Sequence, residues 1–221
     1  MLLVLWDIDG TLVDAAGHGR QAFDDAYEKV LGRPFTESIV MAGRTDHQIA
    51  MAMLGEEHGR LPGMLEELAA ALAEREEAIR AEGRAFPGAR EALEALAERD
   101  GVVQSLLTGN LETNAALKVG AFGLEPLLDF EVGGYGSDPH VERADLVEVA
   151  RGRAREKYGE PGGIVLVGDT PLDVRAAHMA GARAVAVATG PYGVPELRDS
   201  GADAVLEDLR DAERVVAAVT G

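Results

Sequence analysis

Carboxylates follow the first apolar run of this chain, where a strand is expected to end. Residues 2–6, Leu-Leu-Val-Leu-Trp, are continuously hydrophobic, which is typical of a strand buried on both faces of a parallel sheet. Asp7, Asp9, Gly10 and Thr11 come directly after it. Open α/β sheets bind ligands in the crevice beyond their strand ends. Two carboxylates there are suited to nucleophilic attack, proton transfer or binding of a hard cation.

A second strand-like segment, residues 102–107, ends in Thr108, Gly109 and Asn110. The Thr108 hydroxyl is suited to binding an anion, although threonine is also an ordinary turn residue. Asn110 is better interpreted as the N-cap of the following helix. Capping and anion binding are compatible, because the free N–H groups of a helix N-terminus attract phosphate.

A third such segment, residues 164–167, ends in Gly-Asp-Thr-Pro-Leu-Asp, which contains Asp169 and Asp173. An aspartate before a helix is often only a cap, and Asp173 is open to that interpretation. The pattern Gly-Asp-x-x-x-Asp after a buried strand, downstream of the first acid pair, argues against a purely structural Asp169.

The order of these elements predicts the fold class α/β, with a Rossmann-like, mostly parallel sheet as core and an inserted all-α cap domain. The core is assigned to residues 1–14 plus 84–221, and the helical cap to 15–83. Strands are predicted at 2–6, 102–107, 130–132, 164–167, 184–188 and 204–206. Helices are predicted at 20–31, from about 45, at 64–80, 89–99, 111–119, 143–157, 172–179 and at the end of the chain.

Composition restricts the classes of protein. The 221 residues carry a formal net charge of −18, which disfavours nucleic acid and anionic membranes as partners. The absence of cysteine excludes disulfides, thiolate catalysis and cysteine-bound metal. No apolar run is long enough to cross a membrane, and no basic leader precedes the first strand. We therefore expect a cytoplasmic protein, either a monomer or a homodimer.

The string Asp-Ile-Asp-Gly-Thr-Leu-Val-Asp at 7–14, with the two later strand ends, resembles the motifs of the haloacid dehalogenase superfamily in its phosphatase-like form. The resemblance covers nearly the whole chain. It implies that Asp7 is a nucleophile that becomes phosphorylated and that Asp9 is the general acid and base. It also implies Mg²⁺ as cofactor, held by the Asp7 carboxylate, the Asp9 backbone carbonyl and Asp169.

The resemblance further implies that Thr108 binds the phosphoryl group and that Asp173 supports the site, together with Gly10, Thr11, Gly109 and Asn110. The family usually places a lysine early in the next helix, but the segment 135–143 contains none. Arg143 occupies the matching position and is predicted to replace it, because a permanently charged guanidinium can grip two phosphate oxygens. The alternative is a surface arginine paired with Glu142 or Asp145.

The cap is expected to select the substrate. Arg44 lies in a predicted loop that faces the active site in relatives, where it could bind a substrate anion; pairing with Asp46 is equally compatible with the sequence. Gly17, Gly19 and Gly83 are plausible hinges of this cap. Asp14 is interpreted as the N-cap of the first cap helix, and His47 and His140 as possible neighbours of the pocket.

The sequence therefore predicts a Mg²⁺-dependent phosphatase of the phosphoglycolate-phosphatase-like kind, acting on a small phosphomonoester. Asp9 argues against a dehalogenase, which lacks the second acid of Asp-x-Asp. A phosphomutase of the same superfamily, similar to beta-phosphoglucomutase, stays open because it differs chiefly in the cap. A non-enzymatic phospho-acceptor module fits less well, since it would have about half this length and a lysine near its end.

Overall fold

The computed structural model describes residues 1–139 and 142–221. Its strands are β1 (Leu2–Trp6), β2 (Val13–Asp14), β3 (Arg84–Ala85), β4 (Val102–Leu106), β5 (Gly163–Gly168), β6 (Arg183–Val187) and β7 (Ala204–Leu206). The main sheet has five parallel strands in the order β4-β1-β5-β6-β7. A separate antiparallel pair joins β2 and β3. The α/β fold class with a mostly parallel sheet is thus confirmed.

Ten α-helices lie in the described residues: α1 (His18–Leu31), α2 (Asp46–Leu54), α3 (Leu61–Ala73), α4 (Glu76–Glu82), α5 (Ala89–Ala97), α6 (Glu112–Ala121), α7 (Arg143–Tyr158), α8 (Pro171–Met179), α9 (Val194–Asp199) and α10 (Ala212–Thr220). None of them is long and apolar enough to cross a membrane.

Strand β1 is central because its side chains are buried on both faces. Val4 and Trp6 belong to one apolar cluster, with residues of α5, α6 and α10. Leu3 and Leu5 belong to a second cluster, with residues of α7, α8 and α9. Burial on both faces explains why this strand has no polar alternation, and it fixes the position of the residues that follow its end.

Helices α1 to α4 lie between β2 and β3 along the chain, and their apolar faces share a third cluster. Val13 pairs with Ala85 and Asp14 with Arg84, so the chain enters and leaves this helical segment at one place. These features support the assignment of a cap to 15–83, which stays a prediction.

Two of the predicted elements were wrong, and one helix was missed. Residues Phe130–Val132 form a 3-10 turn rather than a strand, because the Asp129 carboxylate accepts a hydrogen bond from the backbone N–H of Glu131 and starts a turn there. The predicted helix 64–80 is interrupted between α3 and α4, where the Arg75 guanidinium bonds to Gln21 and Asp25 of α1. Helix α9 was not predicted.

Asp14 does not cap α1, whose N-cap is Gly17. Its carboxylate accepts a hydrogen bond from the Ala16 backbone and pairs with Arg84 across the β2–β3 ladder at 2.8 Å. The prediction failed because two residues, Ala15 and Ala16, separate Asp14 from the N-cap, so its carboxylate bonds to the Ala16 backbone N–H instead of to the helix.

Candidate active site

The ends of β1 and β5 bring Asp7 and Asp169 together. The Thr11 hydroxyl donates to Oδ1 of Asp169 at 3.2 Å, which ties the two loops to each other. Gly10 has φ of 88°, and a Cβ atom at this residue would lie 2.3 Å from Asp169 Oδ2. Glycine is therefore required both for the backbone conformation and for the close approach of this carboxylate.

Asp173 caps a helix and also contacts Arg143. Its Oδ2 atom accepts hydrogen bonds from the backbone N–H and hydroxyl of Thr170, the N-cap of α8, in a capping box. Its Oδ1 atom is 2.7 Å from Nη2 of Arg143. One carboxylate thus fixes the helix start and faces the acid cluster at the same time.

Arg143 lies inside this cluster and not on the surface. Its Nη2 is 2.7 Å from Asp7 Oδ1 as well as from Asp173, and only 8% of its side chain is exposed. The alternative of a surface pair with Glu142 or Asp145 does not agree with this burial. The Nε atom is buried and has no hydrogen-bond partner among the described residues.

Burial dominates the electrostatics of the cluster. It raises the pKa of Asp7, against the opposing effect of Arg143, and with Asp7 and Asp173 it raises the pKa of Asp169. Burial lowers the pKa of Arg143, but the neighbouring carboxylates outweigh it and raise the pKa above the ordinary range. The guanidinium stays charged, while three acids compete for one positive partner.

The same cluster fits a divalent cation. Oxygens of Asp7, Asp169 and Asp173 lie within 4.8 Å of one another, and all three residues are buried. Oxygen ligands and excess negative charge suit a hard divalent cation, and its identity as Mg²⁺ stays a prediction. Carboxylates of Asp7 and Asp169 match the predicted ligands. The side chain of Asp9 lies outside this group, and the ligand role of its backbone carbonyl stays a prediction.

Thr108 and Asn110 follow β4, and Asn110 contacts Asp9. Thr108 is fully buried, and its Oγ1 accepts hydrogen bonds from the backbone N–H and side-chain amide of Asn110. The Asn110 amide also donates to Asp9 Oδ2 at 2.7 Å. The N-cap of α6 is Leu111, so the interpretation of Asn110 as a cap was wrong. Contact with Asp9 and Thr108 takes the place of capping.

Lys118 is a candidate functional residue that the sequence analysis missed. Its Nζ lies 2.8 and 2.7 Å from the two Asp9 oxygens and 2.7 Å from Asn110 Oδ1. The buried residues of α6 are Asn114, Ala115, Lys118 and Val119, which form one face of the helix. A lysine on the apolar face of an amphipathic helix was the signal that could have revealed it.

The helical segment approaches the site through the residues before α2. The Asp46 backbone N–H donates to the Gly109 carbonyl at 2.7 Å, and its carboxylate accepts from the Leu111 N–H at 2.9 Å. A Cβ at position 109 would lie 2.2 Å from the Arg44 carbonyl oxygen, so glycine is required here. Burial raises the pKa of Asp46 to about 6. Asp46 therefore contacts the core and is not paired with Arg44.

A cavity of about 450 Å³ extends from the acids towards the helical segment. Its polar lining includes Asp7, Asp9, Asp169, Thr108, Lys118 and Arg143. Arg44 also lines it, with apolar groups that include Phe23 and Leu72. The exposed Arg44 guanidinium bonds to the Val40 carbonyl, its one side-chain hydrogen bond in the described residues. His47 lines a separate, neighbouring cavity, and His140 lies outside the described residues.

Fold and site together define a hydrolase class: an α/β sheet with clustered acids at its strand ends, beneath a helical insertion. The model of haloacid dehalogenase-like hydrolases matches residues 1–181. The chain belongs to the haloacid dehalogenase-like hydrolase family.

Known proteins similar to this chain agree with that assignment. A phosphoglycolate phosphatase of Mannheimia succiniciproducens is 28% identical, over 97% of both chains. A hydrolase from Pseudomonas syringae has a TM-score of 0.71 at 23% identity, with 97% of each chain covered. A structure from Bacteroides vulgatus, provisionally assigned as a beta-phosphoglucomutase, has a TM-score of 0.70 at 19% identity, with 100% of this chain and 91% of the other covered. The two structural likenesses concern the fold.

Proposed function

We propose that this protein is a Mg²⁺-dependent phosphatase that hydrolyses a small phosphomonoester through an aspartyl-phosphate on Asp7. The observation that carries the proposal is the contact of a buried carboxylate, Asp7, with a buried guanidinium, Arg143, in the lining of a cavity that also contains the half-exposed Asp9. The 28% identical relative, a phosphoglycolate phosphatase, supports this reaction class.

In this mechanism an Asp7 oxygen attacks phosphorus, and the bond from phosphorus to the leaving oxygen breaks. Asp9 supplies the proton to that oxygen. Asp9 then takes a proton from water as the water oxygen attacks phosphorus, which releases phosphate and restores the Asp7 carboxylate. A cation held by Asp7 and Asp169 would supply charge neutralisation. Arg143 and Thr108 bind the equatorial oxygens, on which charge is spread in the transition state.

The test is a phosphate-release screen over small phosphomonoesters with Mg²⁺ present, including phosphoglycolate, sugar phosphates and a bisphosphorylated sugar. Steady release from one or more monoesters is expected. Conversion of the bisphosphate to an isomer without net release would instead identify a mutase. Stable labelling of the chain without turnover would identify a phospho-acceptor module.

Arg143→Ala is expected to lower kcat/KM by about 10²–10³-fold, because charge on the transferring phosphoryl group would lose its main protein donor. Arg143→Lys should keep part of the activity, since the charge remains without the two-pronged geometry. Arg155→Ala, an exposed position on the same helix, is the matched control. Steady-state kinetics and thermal unfolding of all three variants provide the measurement; nearly unchanged kinetics in Arg143→Ala would contradict the role.

Arg44 is proposed to bind an anionic group of the substrate beyond the phosphate. Arg44→Ala should raise KM for phosphoglycolate several-fold. It should leave hydrolysis of an aryl phosphate, whose aryl group carries no charge, almost unchanged. Arg60→Ala, which removes an exposed arginine outside the cavity, is the control. Equal effects on both substrates, or none on either, would remove Arg44 from substrate selection.

The remaining expectations are part of the same proposal. A cavity that is partly covered by the helical segment fits a small ester better than a polymer, which supports a small-molecule substrate and argues against nucleic acid. A cytoplasmic location and a monomeric or homodimeric state stay predictions.

A further inference from the structure

The ammonium group of Lys118 has three acceptors for its three hydrogen-bond donors. Two are the oxygens of Asp9, and the third is Oδ1 of Asn110, all within 2.8 Å. Only 5% of the lysine side chain is exposed, whereas 47% of the Asp9 side chain is. The lysine is thus held inside the protein, and its partner faces the cavity.

The contacts of Asp9 and Asn110 make this more than an isolated ion pair. The Asn110 amide donates to Asp9 Oδ2 and to Thr108 Oγ1. Among the described residues, Lys118 and Asn110 are the side chains that bond to the Asp9 carboxylate. Asp9 therefore owes its orientation to two residues that also bond to each other.

The buried side chains of Arg143 and Lys118 contact different acids. Arg143 contacts Asp7 and Asp173, and Lys118 contacts Asp9. Burying an ammonium on the apolar face of α6 costs free energy unless it is fully paired. An apolar side chain would fill this face at lower cost, so stability alone does not account for lysine here.

We propose that Lys118 is a positioning residue that holds the Asp9 carboxylate, through Asn110 and its own ammonium, in the orientation required for proton transfer. This rests on the proposed phosphatase function. In this role Lys118 acts through Asp9, with which its ammonium forms two hydrogen bonds. Loss of Lys118 should therefore reproduce the kinetic defect of a misplaced general acid and base.

The leaving group separates this role from a structural one. With an alkyl phosphate, whose leaving oxygen needs a proton, Lys118→Met should lower kcat by about 10²–10⁴-fold with KM nearly unchanged. With 4-nitrophenyl phosphate the first step needs no proton. A stoichiometric burst of nitrophenolate at nearly the wild-type rate should then precede slow turnover, because Asp9 is still needed to activate water.

A double variant tests the link to Asp9. Lys118→Met should slow an Asp9→Asn enzyme by less than about twofold, because the positioned group is already lost. Lys29→Met, which removes a surface lysine paired with Glu67, is the matched control and should leave hydrolysis of both esters unchanged. Full additivity in the double variant would mean that Lys118 does not act through Asp9.

Chemical rescue keeps the test valid if Lys118→Met folds poorly. The chain has no cysteine, so alkylation of unfolded Lys118→Cys with bromoethylamine, followed by refolding, places an ammonium at position 118 alone. Propylation of the same thiol gives a neutral side chain of similar length. The aminoethylated protein should hydrolyse alkyl phosphate at least tenfold faster than the propylated protein. A tenfold rate change corresponds to about 1.4 kcal/mol.

Equal recovery with both reagents, or a nitrophenolate burst in Lys118→Met that is slowed as much as alkyl phosphate hydrolysis, would overturn the positioning role and leave only a structural one. Failure of the phosphatase proposal is distinguishable, because the wild-type protein would then release phosphate from no phosphomonoester, and the inference would fall with it.

Discussion

Asp7→Asn is expected to abolish phosphate release, with a loss of at least about 10⁴-fold, while the protein stays folded. The amide has nearly the same shape as the carboxylate but is not a nucleophile, and removal of a covalent nucleophile causes losses of this order or more. Asp7 is buried, and burial raises its pKa, so the ionised carboxylate is costly to the fold. The free energy of unfolding should therefore be unchanged or higher in the variant.

Acid-quenched protein provides the direct measurement. Wild-type protein mixed with substrate should carry a phosphoryl group on Asp7, detectable by mass spectrometry of the peptide that contains it, and Asp7→Asn should carry none. Asp100→Asn, at an exposed position in a turn, is the matched control and should behave as wild type. Full activity in Asp7→Asn would contradict the assignment of Asp7 as the nucleophile.

The residues at strand ends could be predicted because the sheet makes them neighbours. Asp7, Thr108 and Asp169 each follow a strand-like segment, and β1 pairs with both β4 and β5 in parallel. Parallel pairing places the three carboxyl ends at one edge, so spacing along the chain was sufficient to predict their proximity. The burial of Arg143 follows from its place at the start of α7, next to that edge.

The residues that were missed depend on side-chain contacts between distant segments. Lys118 lies 109 residues from Asp9, and periodicity places it only on the buried face of α6. The Asn110 amide had a local role available as a cap, but contact with Asp9 and Thr108 replaced it. The 3-10 turn at 130–132 likewise results from one side-chain hydrogen bond by Asp129, which an apolar pattern does not show.

Removal of divalent metal is expected to stop catalysis, and Mg²⁺ is expected to restore it. Oxygens of Asp7, Asp169 and Asp173 lie within 4.8 Å of one another, and Arg143 is the guanidinium that contacts this cluster. A dianionic substrate adds further negative charge. Without a cation, like charges would oppose both substrate binding and attack by Asp7.

The same electrostatics predicts an effect of Mg²⁺ on stability that does not depend on activity. Burial raises the pKa values of Asp7 and Asp169 above the ordinary value of an aspartate, 3.8. The metal-free fold thus binds more protons than the unfolded chain, and this contribution to stability is present at low pH and lost as pH rises through the raised pKa values. Because Mg²⁺ binds the ionised acids, it should raise Tm more in mildly alkaline than in mildly acidic buffer.

Asp169→Asn separates this site from non-specific binding of Mg²⁺ to an acidic protein. The variant removes one carboxylate from the cluster, so it should lose both the Mg²⁺-dependent rise in Tm and phosphate release. Asp199→Asn, an exposed position at the end of α9, should retain both. Phosphate release that persists after thorough chelation would contradict the metal requirement. An equal Mg²⁺-induced rise in Tm for wild type and Asp169→Asn would place the cation elsewhere on this surface, where a net charge of −18 attracts cations without a specific site.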